Sequence, residues 1–131
     1  MPTRRQTARA LKASEDRYRR LCGALARLGP IKRGSLYRTY TGCGSPGCRC
    51  HRDPKDRHGP YWYWTGRVAG KAQCRQVAGP ALRLYRRYAA NYRTLKETVK
   101  RLEQLADDIL ARQLALVAAS SPRKAPRTRT H

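Results

Sequence analysis

One stretch of glycine, proline, cysteine and histidine limits what this chain can fold into. Its cysteines follow the spacing Cys43-x4-Cys48-x-Cys50, and His58 comes after seven further residues. Three thiolates and one imidazole form a ligand set that tetrahedral Zn²⁺ takes in structural sites. The neighbouring glycines and proline suit a backbone that wraps tightly around a cation. The stretch therefore predicts a zinc-binding loop held by these four side chains.

Other interpretations of the loop stay open at this point. His51 or Cys74 could replace His58 as the fourth ligand, or the cysteines could be bystanders, reduced or oxidised, in a turn. Five cysteines are an odd number, and no apolar signal-peptide segment accompanies them, which disfavours a disulfide framework. Cys50 beside His51 resembles a nucleophile with its base, but adjacency in sequence supplies no hydrogen-bonded arrangement. We therefore expect no enzymatic activity.

The segments around the loop predict one helix and three short strands. Residues 7–28 show apolar side chains at helical spacing and end at Gly29-Pro30. Residues 34–40 are rich in aromatic and β-compatible side chains, which indicates a strand. After the loop, residues 61–68 and 72–77 flank a glycine-containing turn at 69–71, which predicts a hairpin.

A second, longer helix is predicted from Pro80 to about residue 118, because proline is favoured at the first helical position. From Tyr85 to Leu116 its apolar side chains recur at alternating spacings of three and four, as in a coiled-coil seam. This seam is longer than the first helix can cover. We therefore expect an interface with a second copy or a partner protein, formed by Val99, Leu102, Ile109 and Leu116.

Together these elements indicate an α+β fold. It consists of a small three-stranded antiparallel sheet with a zinc-binding loop, flanked by an N-terminal helix and a long C-terminal coiled-coil-like helix. The expected segments are a basic arm and amphipathic helix (1–33), the zinc loop and sheet (34–79), the long helix (80–118) and a disordered basic tail (119–131).

The charge of the chain indicates an anionic partner. Lys and Arg number 30 against 8 Asp and Glu, which gives a net charge of +22. Nucleic acid is the expected partner, with DNA favoured over RNA. No apolar stretch is long enough to cross a membrane, so we expect a cytoplasmic protein. The candidate nucleic-acid contacts are Arg4, Arg5, Arg38, Arg67, Lys71, Arg75, Tyr61 and Tyr63.

The four aromatic residues "YWYW" (61–64) should alternate between the two faces of their strand. One pair could pack on the helices, while the other covers the zinc loop or meets a partner. A structural role for all four in a small core without phenylalanine is the alternative.

The segments "CGSPGCRC" and "HGPYWYW", followed by a hairpin and a helix containing "NYRTLKE", resemble a small bacterial and archaeal domain family of unknown function. That family is marked by CGxxGCxC and HGPYWY segments and by an NYxxLK helix, and the resemblance covers about residues 34–105. It implies a compact domain with a metal-binding loop and no established activity. It also places Cys43, Cys48, Cys50 and His58 on the cysteine and histidine positions of the family.

The function expected from the sequence is that of a non-catalytic, zinc-containing nucleic-acid-binding protein with an accessory or regulatory role. Two alternatives use the same features. The protein could be a protein-interaction module that acts through its long helix, or a repressor that senses redox state or metal through the cysteines.

Overall fold

The computed structural model of the chain describes residues 1–120 and confirms the α+β fold class. Helix α1 spans Arg4–Ala26, strand β1 Ser35–Thr41, strand β2 His58–Val68, strand β3 Lys71–Val77 and helix α2 Gly79–Ser120. Two short 3₁₀ helices, Arg49–His51 and Pro54–Asp56, lie in the loop between β1 and β2. The basic tail expected from residue 119 lies outside the described residues, except that residues 119 and 120 belong to α2.

The three strands form an antiparallel sheet in the order β1-β2-β3. Tyr37 of β1 pairs with Tyr63 of β2, which pairs in turn with Gln76 of β3. The β2-β3 turn is made by Ala69 and Gly70, with φ values of 52° and 80°. Positive φ at both turn residues matches the right-handed twist of a two-residue hairpin, so the turn is one residue shorter than the sequence predicts.

One face of the sheet carries both tryptophans and buries Trp64. Trp64 is 2% exposed, and its ring lies 5.6 Å from that of Tyr85, near the start of α2. The ammonium of Lys32 lies 4.3 Å from the centre of the Trp64 ring. Gly66 follows two residues along β2, and a side chain there would collide with the same indole. The tryptophan pair is therefore the one that packs towards a helix.

The chain divides into two compact units. One contains Leu28–Leu95, with the sheet, the loop between β1 and β2 and the first part of α2. We call it the sheet unit. The other contains residues 1–27 together with the described residues from Lys96 onwards, and we call it the helical unit. The long helix α2 therefore supplies residues to both units.

In the helical unit α1 lies beside the second part of α2. The Ser14 hydroxyl donates a hydrogen bond of 2.6 Å to Asp108 Oδ2, which also accepts a 2.9 Å bond from Arg112 Nε. Further along α1, Leu21 lines a cavity with Leu105. Later residues of α1 thus meet earlier residues of α2, so the two helices run antiparallel.

Helix α1 begins three residues earlier than the apolar pattern predicts. Thr3 is its N-cap, and the Thr3 hydroxyl accepts from the Gln6 backbone N–H while the Gln6 side chain accepts from the Thr3 backbone N–H. This reciprocal pair is a capping box, which satisfies two backbone donors at the start of the helix.

The seam of α2 differs from the predicted one beyond Leu95. The predicted series continues with Val99, but Val99 is 42% exposed, whereas the neighbouring Thr98 is buried. Leu105 and Arg112 are then half-buried in place of the expected Ala106 and Gln113. Alternate positions of the seam therefore lie one residue earlier than predicted, whereas Leu102, Ile109 and Leu116 stay in it.

Within residues 1–120, neither helix combines the length and the apolar character that crossing a membrane requires.

Candidate metal centre

The structure brings together the four side chains whose spacing predicted the zinc loop. The sulfur atoms of Cys43, Cys48 and Cys50 and a ring nitrogen of His58 all lie within 4.8 Å of one another. The Cys48 sulfur is 3.3 Å from His58 Nε2, and the Cys50 sulfur is 3.6 Å from that of Cys43. In a tetrahedral zinc site with metal–ligand distances of about 2.0–2.3 Å, neighbouring ligand atoms lie about 3.3–3.8 Å apart. The two distances measured here are close to that range. The cluster could hold one metal ion.

Local backbone structure places each ligand. Cys48 precedes the 3₁₀ helix Arg49–His51, and its carbonyl accepts a hydrogen bond from the His51 backbone N–H. Cys50 lies inside that short helix and is only 4% exposed. His58 is the first residue of β2 and pairs with Thr41, the last residue of β1. The cluster therefore closes the loop at the ends of two paired strands.

Hydrogen bonds within the cluster shift the ionisation of its members. The pKa of Cys43 is lowered to about 6, chiefly by a backbone hydrogen bond at Ser45 and further by side-chain bonds to Cys50, Cys48 and His58. A backbone bond at Cys50 is the main cause that lowers the pKa of Cys48. Thiolate is the form that binds metal, so the lowered pKa values of Cys43 and Cys48 favour metal binding.

The other two ligands shift in the opposite direction. Burial raises the pKa of the Cys50 thiol. The hydrogen bond to Cys48 is the largest cause that raises the pKa of His58. Metal binding requires the thiolate and the neutral imidazole, so a cation held here would displace protons from Cys50 and His58.

The two alternative ligands lie outside the cluster. Among the described residues, the group that could hold a metal contains neither His51 nor Cys74. The His51 ring lies close to Gly42, and the Cys74 sulfur is 3.8 Å from the Tyr37 hydroxyl, on the sheet. The structure therefore favours His58 as the fourth ligand.

A cavity of about 490 Å³ adjoins the cluster. On one side its lining includes Cys43, Cys48 and His58, and on the other it includes Tyr61, Tyr63 and Gln76. The tyrosine pair of the "YWYW" segment therefore faces the metal loop, on the side of the sheet opposite the tryptophans.

The six predicted nucleic-acid contacts of the sheet unit are divided between the two faces of the sheet. Arg75 is the cross-strand partner of Trp64, so it belongs to the face that packs on α2. Arg38 pairs with Trp62 on the same face. Arg75 also donates to the Tyr85 hydroxyl at 3.4 Å. Lys71 lies four residues before Arg75 on the same strand, so alternation places it on that face as well. Arg4 and Arg5 belong to the helical unit.

Arg67 is the one predicted cation that strand alternation places on the same face as Tyr61 and Tyr63. Its guanidinium donates a 2.9 Å hydrogen bond to the Gly70 carbonyl, and the residue is exposed.

The predicted helix interface is also divided. Val99 is exposed, whereas Leu102, Ile109 and Leu116 are half-buried. Ile109 lines a cavity with Tyr18 of α1, within the helical unit.

Two further residues on the face that carries Tyr61 and Tyr63 were not predicted from the sequence. Tyr37 stacks on Tyr63 with 5.8 Å between ring centres, and Gln76 lines the cavity beside the metal cluster. Alternation along β1 and β3 carries the signal for both, but it can be used only when the register of the strands is known.

Comparison with known proteins gives a family match but no structural one. Neither a curated protein nor a solved structure matches the chain. A family model described as a domain of unknown function, DUF6788, matches residues 11–87. The match begins within α1, includes the whole sheet and all four cluster residues, and ends in the first turns of α2. Because the match covers more than half of the sequence, the chain belongs to this family of unknown function.

Proposed function

We propose that the protein is a non-catalytic, zinc-containing nucleic-acid-binding protein with an accessory or regulatory role, and that DNA is favoured over RNA. The observation that carries this proposal is the charge of the sheet unit. None of its three strands contains Asp or Glu, and between Leu28 and Leu95 the acidic residues are Asp53 and Asp56 alone. A net charge of +22 over the whole chain suits a phosphate backbone.

Zinc is the proposed metal because of the donor set. Three thiolates and an imidazole are soft and borderline ligands, which select Zn²⁺ over the oxygen-preferring Mg²⁺ and Ca²⁺. Four side chains complete a tetrahedral set, whereas a catalytic zinc keeps one position open for water or substrate. The proposed role of the metal is therefore to fix the loop between β1 and β2.

Salt-dependent binding tests the nucleic-acid part of the proposal. Fluorescence anisotropy with a labelled oligonucleotide of mixed sequence should give a log affinity that falls with log salt, with a slope of roughly −4 to −8 for a protein that neutralises several phosphates. An affinity unaffected by salt, or no binding near physiological ionic strength, contradicts the proposal. Reversible loss of binding on oxidation would favour a redox-sensing repressor instead.

A second candidate function is self-association through the helical unit. Its α2 segment exposes an apolar stripe formed by Val99, Leu110, Leu114 and Val117, with exposures of 42% to 61%. The same segment exposes Glu103 and Asp107, and α1 is strongly basic. A second copy of this unit therefore offers both an apolar partner and opposite charge.

Light scattering at micromolar concentration tests this candidate. The unchanged protein should have a dimeric mass, and Leu114→Glu should give a monomer. Leu84→Glu is the matched control, because Leu84 is 47% exposed but lies in the sheet unit. A monomeric mass for the unchanged protein removes the candidate.

A further inference from the structure

The face of the sheet that carries the tyrosines is accessible. Strand pairing places Tyr37, Tyr61, Tyr63 and Gln76 on this face, which we call the tyrosine face. Tyr37 is 42% exposed, Gln76 is exposed, and Tyr61 and Tyr63 are half-buried. The opposite face holds Trp64 at 2% exposure. The sheet thus buries Trp64 on one face and exposes Tyr37 on the other.

Two rings on the tyrosine face lie nearly parallel, and we call this pair the Tyr37–Tyr63 step. Tyr37 and Tyr63 come from neighbouring strands, and their planes differ by 23° with 5.8 Å between ring centres. The Tyr37 hydroxyl also contacts the Cys74 sulfur at 3.8 Å. A planar aromatic group in solution could stack on this step without rearranging it.

The step is continuous with the cavity beside the metal cluster, because Tyr63 belongs to both. The cavity volume of about 490 Å³ lies within the range of about 300–1,000 Å³ that small-ligand sites occupy. Tyr61 supplies a second aromatic wall, and the Gln76 amide supplies a donor and an acceptor. The face therefore offers aromatic surfaces and a hydrogen-bonding group suited to the edge of a nucleobase.

The positive charge of the sheet favours a planar ligand that carries phosphate. No strand carries a carboxylate, and Arg67 stands on the tyrosine face near its hairpin end. A base within a duplex has its faces covered by its neighbours, whereas a base in a single strand can stack on an aromatic side chain.

We propose that the tyrosine face binds single-stranded nucleic acid, with one base stacked on the Tyr37 ring of the Tyr37–Tyr63 step and a neighbouring base in the cavity between Tyr61 and Gln76. This inference rests on the proposed nucleic-acid-binding function and specifies the form of the ligand. The proposed function itself is equally compatible with a duplex.

The experiment compares a labelled 12-nucleotide single strand with the duplex of the same sequence, by fluorescence anisotropy on the full chain. The single strand should bind more tightly. Tyr37→Leu should weaken its binding about 5- to 150-fold, the range measured for loss of one stacked base, and should leave the salt slope unchanged because stacking involves no counterion release. Tyr37→Phe should keep the affinity, because it retains the ring.

Tyr40→Leu is the matched control. Tyr40 lies on the same strand with 46% exposure, but it belongs neither to the Tyr37–Tyr63 pair nor to the cavity lining, so its replacement should have no effect. Circular dichroism and metal content establish that each variant is folded.

The outcomes separate the two proposals. If the chain binds the duplex more tightly than the single strand, or if folded Tyr37→Leu and Tyr63→Leu both bind like the unchanged protein, the stacking inference is wrong and the general function survives. If neither oligonucleotide binds near physiological salt, the proposed function fails and the inference fails with it.

Discussion

In the sheet unit the least exposed residues are Cys50, Trp64 and Val77, whereas in the helical unit they are Ser14 and Thr98. The first set combines a candidate metal ligand with apolar side chains. The second consists of hydroxyl groups, and one of them is hydrogen-bonded to a carboxylate. Both units are small, but the sheet unit buries a thiol and apolar side chains, whereas the helical unit buries hydroxyl groups.

The difference indicates where each unit is vulnerable. A short sheet with little apolar core depends strongly on a few large contributions, namely the central tryptophan and the proposed metal. Two helices joined through polar groups depend on many weak contributions, because a single hydrogen bond adds only about 0.5–1.5 kcal/mol net. Changes in the sheet unit should therefore have larger effects than changes in the helical unit.

Loss of the metal should have the largest effect. Cys48→Ser should lower the metal content from about one Zn²⁺ per chain to near zero and unfold the sheet unit, because structural zinc contributes about 10–16 kcal/mol in small zinc peptides. Metal analysis and hydrogen exchange measure the two effects. Amides of β1, β2 and β3 should lose protection, while those of the helical unit should change less.

Cys74→Ser is the matched control for this experiment, since Cys74 lies outside the cluster. It should leave metal content and exchange unchanged. Unaltered metal content in Cys48→Ser would show that the four side chains do not form the site. Equal loss of protection in both units would remove the contrast between them.

Trp64→Ala should have the second largest effect. It removes the buried indole that packs on Tyr85 and Lys32, and large-to-small replacement of a buried aromatic costs about 3–5 kcal/mol. Urea unfolding followed by circular dichroism measures the loss. The exposed Tyr40→Ala should change the free energy of unfolding by no more than about 0.5 kcal/mol. A loss below about 1 kcal/mol for Trp64→Ala would mean that this face of the sheet is not the core.

The smallest predicted effect concerns acid and the helical unit. Hydrogen bonds from Arg112 and then from Ser14 hold the pKa of Asp108 below its ordinary value of 3.8. A carboxyl whose pKa is lower in the folded state stabilises that state above the unfolded pKa. This contribution should disappear as the pH falls through the lowered value.

Hydrogen exchange of amides near Ser14 measures this effect without relying on the metal site. Protection should fall modestly in acid for the unchanged protein and less for Asp108→Asn. Asp107→Asn is the control, because Asp107 is the exposed neighbour. Identical pH profiles for the unchanged protein and Asp108→Asn would exclude a stabilising role for the carboxylate.

Much of the sheet unit could be predicted from the sequence, because its signals are local. The spacing of Cys43, Cys48, Cys50 and His58 predicted the cluster, and alternation along "YWYW" predicted two distinct aromatic faces. The division of the cations was not foreseen. Arg38 and Arg75 pair with tryptophans of the neighbouring strand and so lie on the tryptophan face. Only the register between strands reveals this.

The helical unit was harder to predict, because apolar periodicity is an incomplete guide to a polar seam. Val99 fits the heptad pattern better than Thr98, but Thr98 is the buried residue. Ser14 gave no signal for burial until its partner Asp108 was known. The start of α1 was predictable in principle, since Thr3 and Gln6 have the spacing of a capping box.

The order in which the chain is synthesised affects the two units differently. Residues 28–95 are continuous, so the sheet unit can form as soon as they have left the ribosome. Helix α1 is made earlier, but its partner segment, which begins at Lys96, is made after the sheet. During translation, therefore, α1 must wait for the second half of α2, and the sheet unit has the opportunity to fold before the helical unit.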